Sequence, residues 1–268
     1  MPEGDTVYRA ARGLHEALAG AVLTRCDIRV PAFASVDLSG GTVSEVISRG
    51  KHLLIRIGQD GPGRDSSGGY SIHSHLRMEG SWHLYRHGAR WRRPAHQARI
   101  VLETADWVAV GFQLGLLDVV PRDREAEVVG HLGPDLLGPD WDAAEAVRRL
   151  AARPEEAVSI ALFDQRNLAG LGNEYVNELC FLRGMLPTRP IAEADLPATV
   201  DLARRLILAN RDRAQRVTTG DLRPGRGSWV YGREGKPCRR CGEPILKGRI
   251  GRKATELRDS YFCPRCQR

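Results

Sequence analysis

Two Cys-x-x-Cys pairs near the C-terminus constrain this chain more than any other feature. Cys238-Arg-Arg-Cys241 is followed, after 21 residues, by Cys263-Pro-Arg-Cys266. Two such knuckles in one short basic segment read as a four-thiolate site for structural Zn2+, with Cys238, Cys241, Cys263 and Cys266 as ligands. Disulfides are the alternative, and the reducing compartment expected for this chain argues against them. Ile245, Leu246, Tyr261 and Phe262, between the knuckles, fit a β-hairpin ribbon whose metal replaces a core too small to fold alone. Cys26 and Cys180 have no such partners and read as buried apolar thiols.

Charge points to the partner. From Leu202 to Arg268 there are 18 Lys and Arg against 6 Asp and Glu, while the whole chain carries only +7. A basic C-terminal quarter on a mildly acidic body suggests a polyanion, most simply nucleic acid. An Arg-rich solvated surface is the plainer alternative. No run approaches the length of a membrane span, and the N-terminus, with Glu3 and Asp5, lacks the apolar stretch of a secretory signal. The expectation is a cytoplasmic monomer without a membrane partner, nucleoid-associated when bound to DNA.

Along the chain the hydrophobic period changes once. Asp5 to Ala19 predicts a helix with Asp5 as N-cap, a stripe of Val7, Ala10, Ala11, Leu14 and Leu18, and Gly20 as the stop. From Ala21 to about Val120 the pattern is β, with strands at Val22–Val30, Val43–Ile57 (punctuated by Gly50, which puts Lys51 at a turn), Tyr70–Tyr85 and Ala98–Gly111. Gln59 to Gly69 reads as a loop. Residues 122–140, charged and then rich in Gly and Pro, read as a linker. After it come candidate helices at Asp142–Ala152, Glu155–Phe163, Asn173–Leu182 and Leu196–Arg213. The turn Leu168-Ala-Gly-Leu-Gly172 leads into the third of these and offers backbone N–H groups suited to a phosphate, an ordinary helix–helix turn being the alternative. The fold class is α+β, divided as 1–121, 122–140, 141–222 and 229–268.

The N-terminus supplies the chemistry. Pro2 is small enough for Met1 to be trimmed, leaving a secondary α-amine. An α-amine has a pKa of about 8, against about 10.4 for a lysine, so part of it is nucleophilic at neutral pH. Attack on an aldehyde carbon would give an iminium, an electron sink, and Glu3 beside it could shuttle protons. Taken alone, a start of Met-Pro-Glu has no chemical meaning.

Taken in order, however, Pro2-Glu3-Gly4, Arg49-Gly50-Lys51, Leu168-Ala-Gly-Leu-Gly-Asn173-Glu-Tyr, Val230-Tyr-Gly-Arg-Glu-Gly-Lys-Pro-Cys238 and the paired knuckles form a pattern over essentially the whole chain. It resembles the formamidopyrimidine-DNA glycosylase/endonuclease VIII family of base-excision repair enzymes. The resemblance implies an N-terminal β-sandwich carrying an N-terminal helix, a C-terminal helix–two-turn–helix domain and a zinc ribbon, with damaged DNA in the cleft between the domains. It implies a bifunctional DNA glycosylase/AP lyase that works through a Schiff base on the N-terminal proline and cleaves the strand by β,δ-elimination.

Residue by residue, the resemblance implies that Pro2 is the nucleophile at C1′ and Glu3 the proton donor and acceptor at the sugar. Lys51 matches a catalytic lysine that contacts the DNA phosphate near the lesion and is needed for activity, Asn173 and Arg258 match further phosphate contacts there, and Met78 matches the wedge that fills the gap left by the extruded base. Such a wedge offsets unstacking, and phosphate contacts position DNA without reading its sequence. Met78 as core, Lys51 as a solvated turn lysine and Arg258 as a surface arginine are the plain alternatives. Pro2-Glu3-Gly4 and the short segment between Thr218 and Val230 resemble the endonuclease VIII branch, which implies oxidised pyrimidines, oxidised purines being the alternative. Where the family commonly has a second Glu soon after the first, this chain has Asp5 and Thr6. The loop around Phe112-Gln113-Leu114 matches too weakly to assign. A non-enzymatic zinc-ribbon DNA-binding protein is the rival reading.

Overall fold

The computed structural model describes residues 2–58 and 68–268. Most of the stretch read as a loop, Gln59 to Gly69, lies outside the described residues. Helix α1 (Gly4–Leu18) buries Val7, Ala11, Leu14 and Leu18, the apolar stripe of the sequence. Gly20, at φ 79°, ends it in the left-handed region that glycine adopts without strain. Asp5 is not its N-cap: it lies inside the first turn, almost fully buried and engaged by an arginine described below.

Eight strands follow: β1 (Arg25–Ile28), β2 (Thr42–Arg49), β3 (His52–Gly58), β4 (Gly69–His75), β5 (Ser81–Tyr85), β6 (Ala98–Glu103), β7 (Val108–Phe112) and β8 (Leu116–Pro121). Among the described residues they make two four-stranded sheets, ordered β1-β6-β7-β5 and β2-β3-β4-β8, with antiparallel neighbours throughout. One core takes side chains from both sheets and from α1: Ile28, Ile100 and Leu102 from the first, Val43, Leu53, Ile55 and Ile72 from the second. This is a sandwich, as the family resemblance implies. The strand expected over Val22–Val30 shrinks to four residues, Val22 making only an isolated bridge to Thr42.

The chain divides between His131 and Leu132, with the short piece Glu3–Asp5 grouping with the C-terminal unit. The segment expected as a linker is held in place. Helix α2 (Glu125–Val129) is anchored by Glu125, which accepts from Arg56 Nε at 2.8 Å and from the Ser71 hydroxyl. On the other side, Leu136 is buried and Asp135 bridges to Ala169. The boundary between the two units falls inside this segment, and its residues on either side are held by these contacts.

The second unit contains α3 (Ala143–Ala151), α4 (Val158–Phe163), α5 (Asn173–Leu182), α6 (Leu196–Asn210) and the hairpin β9 (Leu246–Ile250) and β10 (Arg258–Phe262). Asp142 caps α3 by accepting the Glu145 N–H at 3.0 Å, and Asp195 caps α6 in the same way through Ala198. The hairpin and the helices share a small core of Phe181, Val230, Ile245, Cys238 and Cys263, so they fold as one unit. Two contacts add to this: Gln267 donates to the Met185 carbonyl at 2.8 Å, and Leu186 N–H to the Arg268 carbonyl at 3.0 Å.

Candidate active site and thiolate centre

Glu3 is fully buried, and its carboxylate takes the place at the start of α5 that the sequence offered to a phosphate. Oε2 accepts the Gly172 N–H at 2.6 Å and Oε1 accepts the Glu174 N–H at 2.8 Å. The orphan donors and positive end of a helix N-terminus favour an anion, and this chain supplies its own. Gly172 is obligatory by proximity rather than by φ, since a Cβ there would lie 2.4 Å from Glu3 Cδ. Gly4 is likewise tight against Gly170, its N–H donating to the Gly170 carbonyl at 2.9 Å. Pro2, half-buried, directly precedes this carboxylate.

Around Glu3 lies a buried charge cluster that the sequence did not reveal. Arg216 donates to Asp5 through Nε at 2.9 Å and Nη2 at 2.6 Å, and to Glu174 through Nη1 at 2.6 Å. Its Nη1 stands 3.7 Å from Glu3 Oε1. The guanidinium also lies 4.6 Å from the centroid of the Tyr175 ring, whose hydroxyl donates to Asp5 at 3.0 Å. Burial alone would weaken the charge on Arg216, but Glu3, Asp5 and Glu174 together hold it firmly protonated. Burial pushes the Glu174 carboxyl up, and Arg216 only partly offsets it. Tyr175 is pushed up by burial and by Asp5. The carboxylates nearest to Glu3 in this cluster are thus Asp5 and Glu174, balanced by Arg216.

Asn173, the first residue of α5, directs its amide to the Asp259 carbonyl at 2.8 Å, next to Arg258 on β10. Arg258 lies over the ring of Phe163 at the end of α4, its guanidinium carbon 3.9 Å from the ring centroid. Asn173 and Arg258 are therefore brought together on neighbouring elements. Tyr231, pushed up by burial and by the nearby Glu174 and Glu3, sits beside Asn173. Glu178, fully buried, organises the segment leading to Tyr231: it accepts the N–H groups of Trp229, Val230 and Tyr231 at 2.7, 2.9 and 2.8 Å and the Thr218 hydroxyl. The segment after Thr218 closes on itself, the Thr218 N–H donating to the Gly227 carbonyl at 2.7 Å. A cavity of about 270 Å³ beside it is lined by Arg216, Arg223, Tyr231 and Lys236 among others.

The sandwich carries a second group. Lys51 occupies the turn between β2 and β3, with Gly50 at φ 57°. Its charge acts on His52 and His75, which face each other across the β3–β4 register. His75 Nδ1 accepts the Arg77 N–H at 2.9 Å, so the neutral ring carries its proton on Nε2. His52 meets His73 at 2.7 Å, and His73 meets Asp118 at 3.2 Å. Burial, with cationic neighbours, lowers His52 to about 3 and His75 to about 4. Met78, 59% exposed, stands in the turn after β4 and is not core. Arg77 beside it has φ 53°. Arg93 Nη1 braces this turn by donating to the Glu79 carbonyl at 3.1 Å and to Gln113 at 2.6 Å. Phe112 and Leu114 are buried, which makes them core residues.

The four cysteines converge. Their sulfurs all lie within 4.8 Å of one another, with Cys238 to Cys266 at 4.0 Å and Cys241 to Cys263 at 3.5 Å. Sulfurs placed tetrahedrally about 2.3 Å from an ion would be about 3.8 Å apart, so the set fits a bound metal. Cys26 and Cys180 lie elsewhere; burial raises both thiols, Cys180 to about 12.

Comparison with known proteins shows the family. The family model for the formamidopyrimidine-DNA glycosylase N-terminal domain matches residues 1–115. The chain is 53% identical to the probable endonuclease 8 2 of Streptomyces coelicolor, over 100% of this chain and 94% of that one. It is 51% identical to the DNA-(apurinic or apyrimidinic site) lyase Nei2 of Mycolicibacterium smegmatis, over 100% and 99%. Among solved structures, MutM in complex with DNA containing carbocyclic 8-oxo-G is similar in fold at a TM-score of 0.79, with 23% identity and full coverage of both chains. The Lactococcus lactis formamidopyrimidine DNA glycosylase bound to AP-site DNA matches at a TM-score of 0.77, with 22% identity and 99% coverage of each. Similarity of this extent, along the whole chain and in the fold, makes the chain a member of the formamidopyrimidine-DNA glycosylase/endonuclease VIII family.

Proposed function

We propose that the chain is a bifunctional DNA glycosylase/AP lyase of the endonuclease VIII branch, acting on oxidised pyrimidines. The observation that carries this reading is the pairing of Pro2 with a fully buried Glu3 locked on the N-terminus of α5. A surface carboxylate with no task would not be buried, held by two backbone donors and matched by a glycine that only contact with it explains.

With Met1 removed, the Pro2 amine attacks C1′ of the damaged nucleotide and the base departs. Glu3 takes and returns protons at the amine and the sugar as the ring opens to an iminium. Loss of the C2′ proton then expels the 3′ phosphate, and a second elimination expels the 5′ phosphate. Lys51 holds a phosphate beside the lesion, and the Nε2–H of His75 is suited to the same anion. Asn173 and Arg258 hold another, and Met78 fills the space left by the base. The cavity beside Arg216 and Tyr231 offers room for that base. The closed, short segment after Thr218 and the endonuclease 8 names of the relatives support a pyrimidine substrate. The four thiolates hold a structural zinc, which fixes the hairpin carrying Arg258.

Borohydride trapping on abasic-site DNA tests the proposal, with intact mass measured alongside. A covalent adduct on a chain beginning at Pro2 is expected. A chain that binds this DNA and does not trap is a DNA-binding protein and not a lyase.

A further inference from the structure

We propose that Arg216 is a positioning residue for the Glu3 chemistry: it keeps the Glu3 carboxylate ionised and aimed, against the repulsion of Asp5 and Glu174. This rests on the role given to Glu3 above. Glu3, Asp5 and Glu174 crowd around one guanidinium whose side chain is 8% exposed. Without a cation, buried carboxylates this close would take up protons. A protonated Glu3 could accept no proton from the Pro2 amine, and its added hydrogen would oppose one of the two backbone N–H groups that aim it.

The geometry selects Arg216 for this task. Its fork grips Asp5 with two nitrogens and Glu174 with a third contact, and the same Nη1 faces Glu3 at 3.7 Å. Glu3 is therefore next to the cation without being its main partner. Its own hydrogen bonds go to α5, which leaves the carboxylate aimed by the helix and charged by the arginine. The Tyr175 ring under the guanidinium and its hydroxyl on Asp5 fix the fork in place. Asp5 then acts as the anchor that orients Arg216, and not as a second acid at the sugar. Among the described residues, Arg216, Asp5, Glu174 and Tyr231 lie around Glu3, and Tyr175 is raised by burial. Arg216 supplies the positive charge among them.

The test follows the Glu3 carboxyl directly, by carbon-13 NMR of glutamate-labelled full-length protein, with Glu3→Gln assigning the resonance. Arg216→Gln should raise the Glu3 titration midpoint by about one pH unit or more. Single-turnover excision should then fall more at pH 6 than at pH 8. Arg216→Lys, which keeps a cation, should stay nearer to the wild-type midpoint. If Arg216→Gln does not fold, Arg216→Gln/Asp5→Asn carries the test, because it removes both halves of the ion pair. Its midpoint should still rise, since Glu174 is left unopposed. A Glu3 midpoint that stays at the wild-type value in whichever of these two variants folds, while the wild type traps on abasic DNA, overturns this inference alone. A wild type that binds and fails to trap overturns the proposed function on which it rests.

Discussion

The Glu3 carboxylate and the backbone N–H of Gly172 meet at 2.6 Å, across 169 residues of sequence, at a place where any side chain on residue 172 would collide with the carboxylate. Gly172→Ala should therefore displace Glu3 while leaving both cores intact. Excision and borohydride trapping are expected to drop by about two orders of magnitude, the scale of a lost proton-transfer group. The melting transition should fall, because the displaced carboxylate leaves the Gly172 and Glu174 N–H groups without their acceptor, while the affinity for abasic DNA should change little. Trapping at the wild-type rate would show that the carboxylate position does not matter.

Glu3→Gln keeps the size of the side chain and removes its titration. An amide can accept from Gly172 or Glu174 with its oxygen, but its NH2 then faces the other donor. DNA binding should survive and base excision should vanish. A variant that excises thymine glycol at the wild-type rate would remove Glu3 from the mechanism.

The thiolate centre and Arg258 give separable outcomes. Cys241→Ser should lose the metal and DNA binding together while the sandwich stays folded, because the hairpin has too little apolar core of its own. Arg258→Ala should keep the metal, weaken binding alike at all sequences and lower the salt slope by about one unit. Phe163→Leu should weaken binding less than Arg258→Ala, since it removes only the ring on which the guanidinium rests. Metal content and affinity against salt, measured for the three variants, check this. A metal-free Cys241→Ser protein with normal affinity would place the hairpin outside the binding surface.

The histidine group sets an acid limit on the sandwich. His52 is lowered from 6.5 to about 3, chiefly by burial, so the unfolded chain takes up a proton well before the folded one. The sign is that of a depressed group: its contribution is intact above pH 6.5 and is lost as pH falls toward 3. Between about pH 6.5 and 5 this one ring should remove on the order of 2 kcal/mol. Denaturation midpoints across that range should fall in the wild type and fall less in His52→Phe. Equal slopes in the two proteins would mean that another group controls the acid transition.

What the sequence determined by itself was local or repeated. The α1 stripe, the turn at Gly50, the extent of α5 and the four thiolates follow from short-range periodicity, glycine conformation and fixed Cys-x-x-Cys spacing, all of which act within a few residues. For residues 122–140, composition leaves packed turns and flexible linkers alike in glycine and proline, and only tertiary contacts, the Glu125–Arg56 hydrogen bond and the burial of Asp135, tell them apart. Asp5 had the chemistry of a helix cap. The fold gave it to Arg216, 211 positions away, because a buried guanidinium outbids a local backbone N–H for a carboxylate. The phosphate-like turn before α5 was recognisable as an anion site, but not the identity of its anion. That Glu3 fills it, with Glu174 and Arg216 around it, depends on chain segments that meet only when the tertiary structure closes.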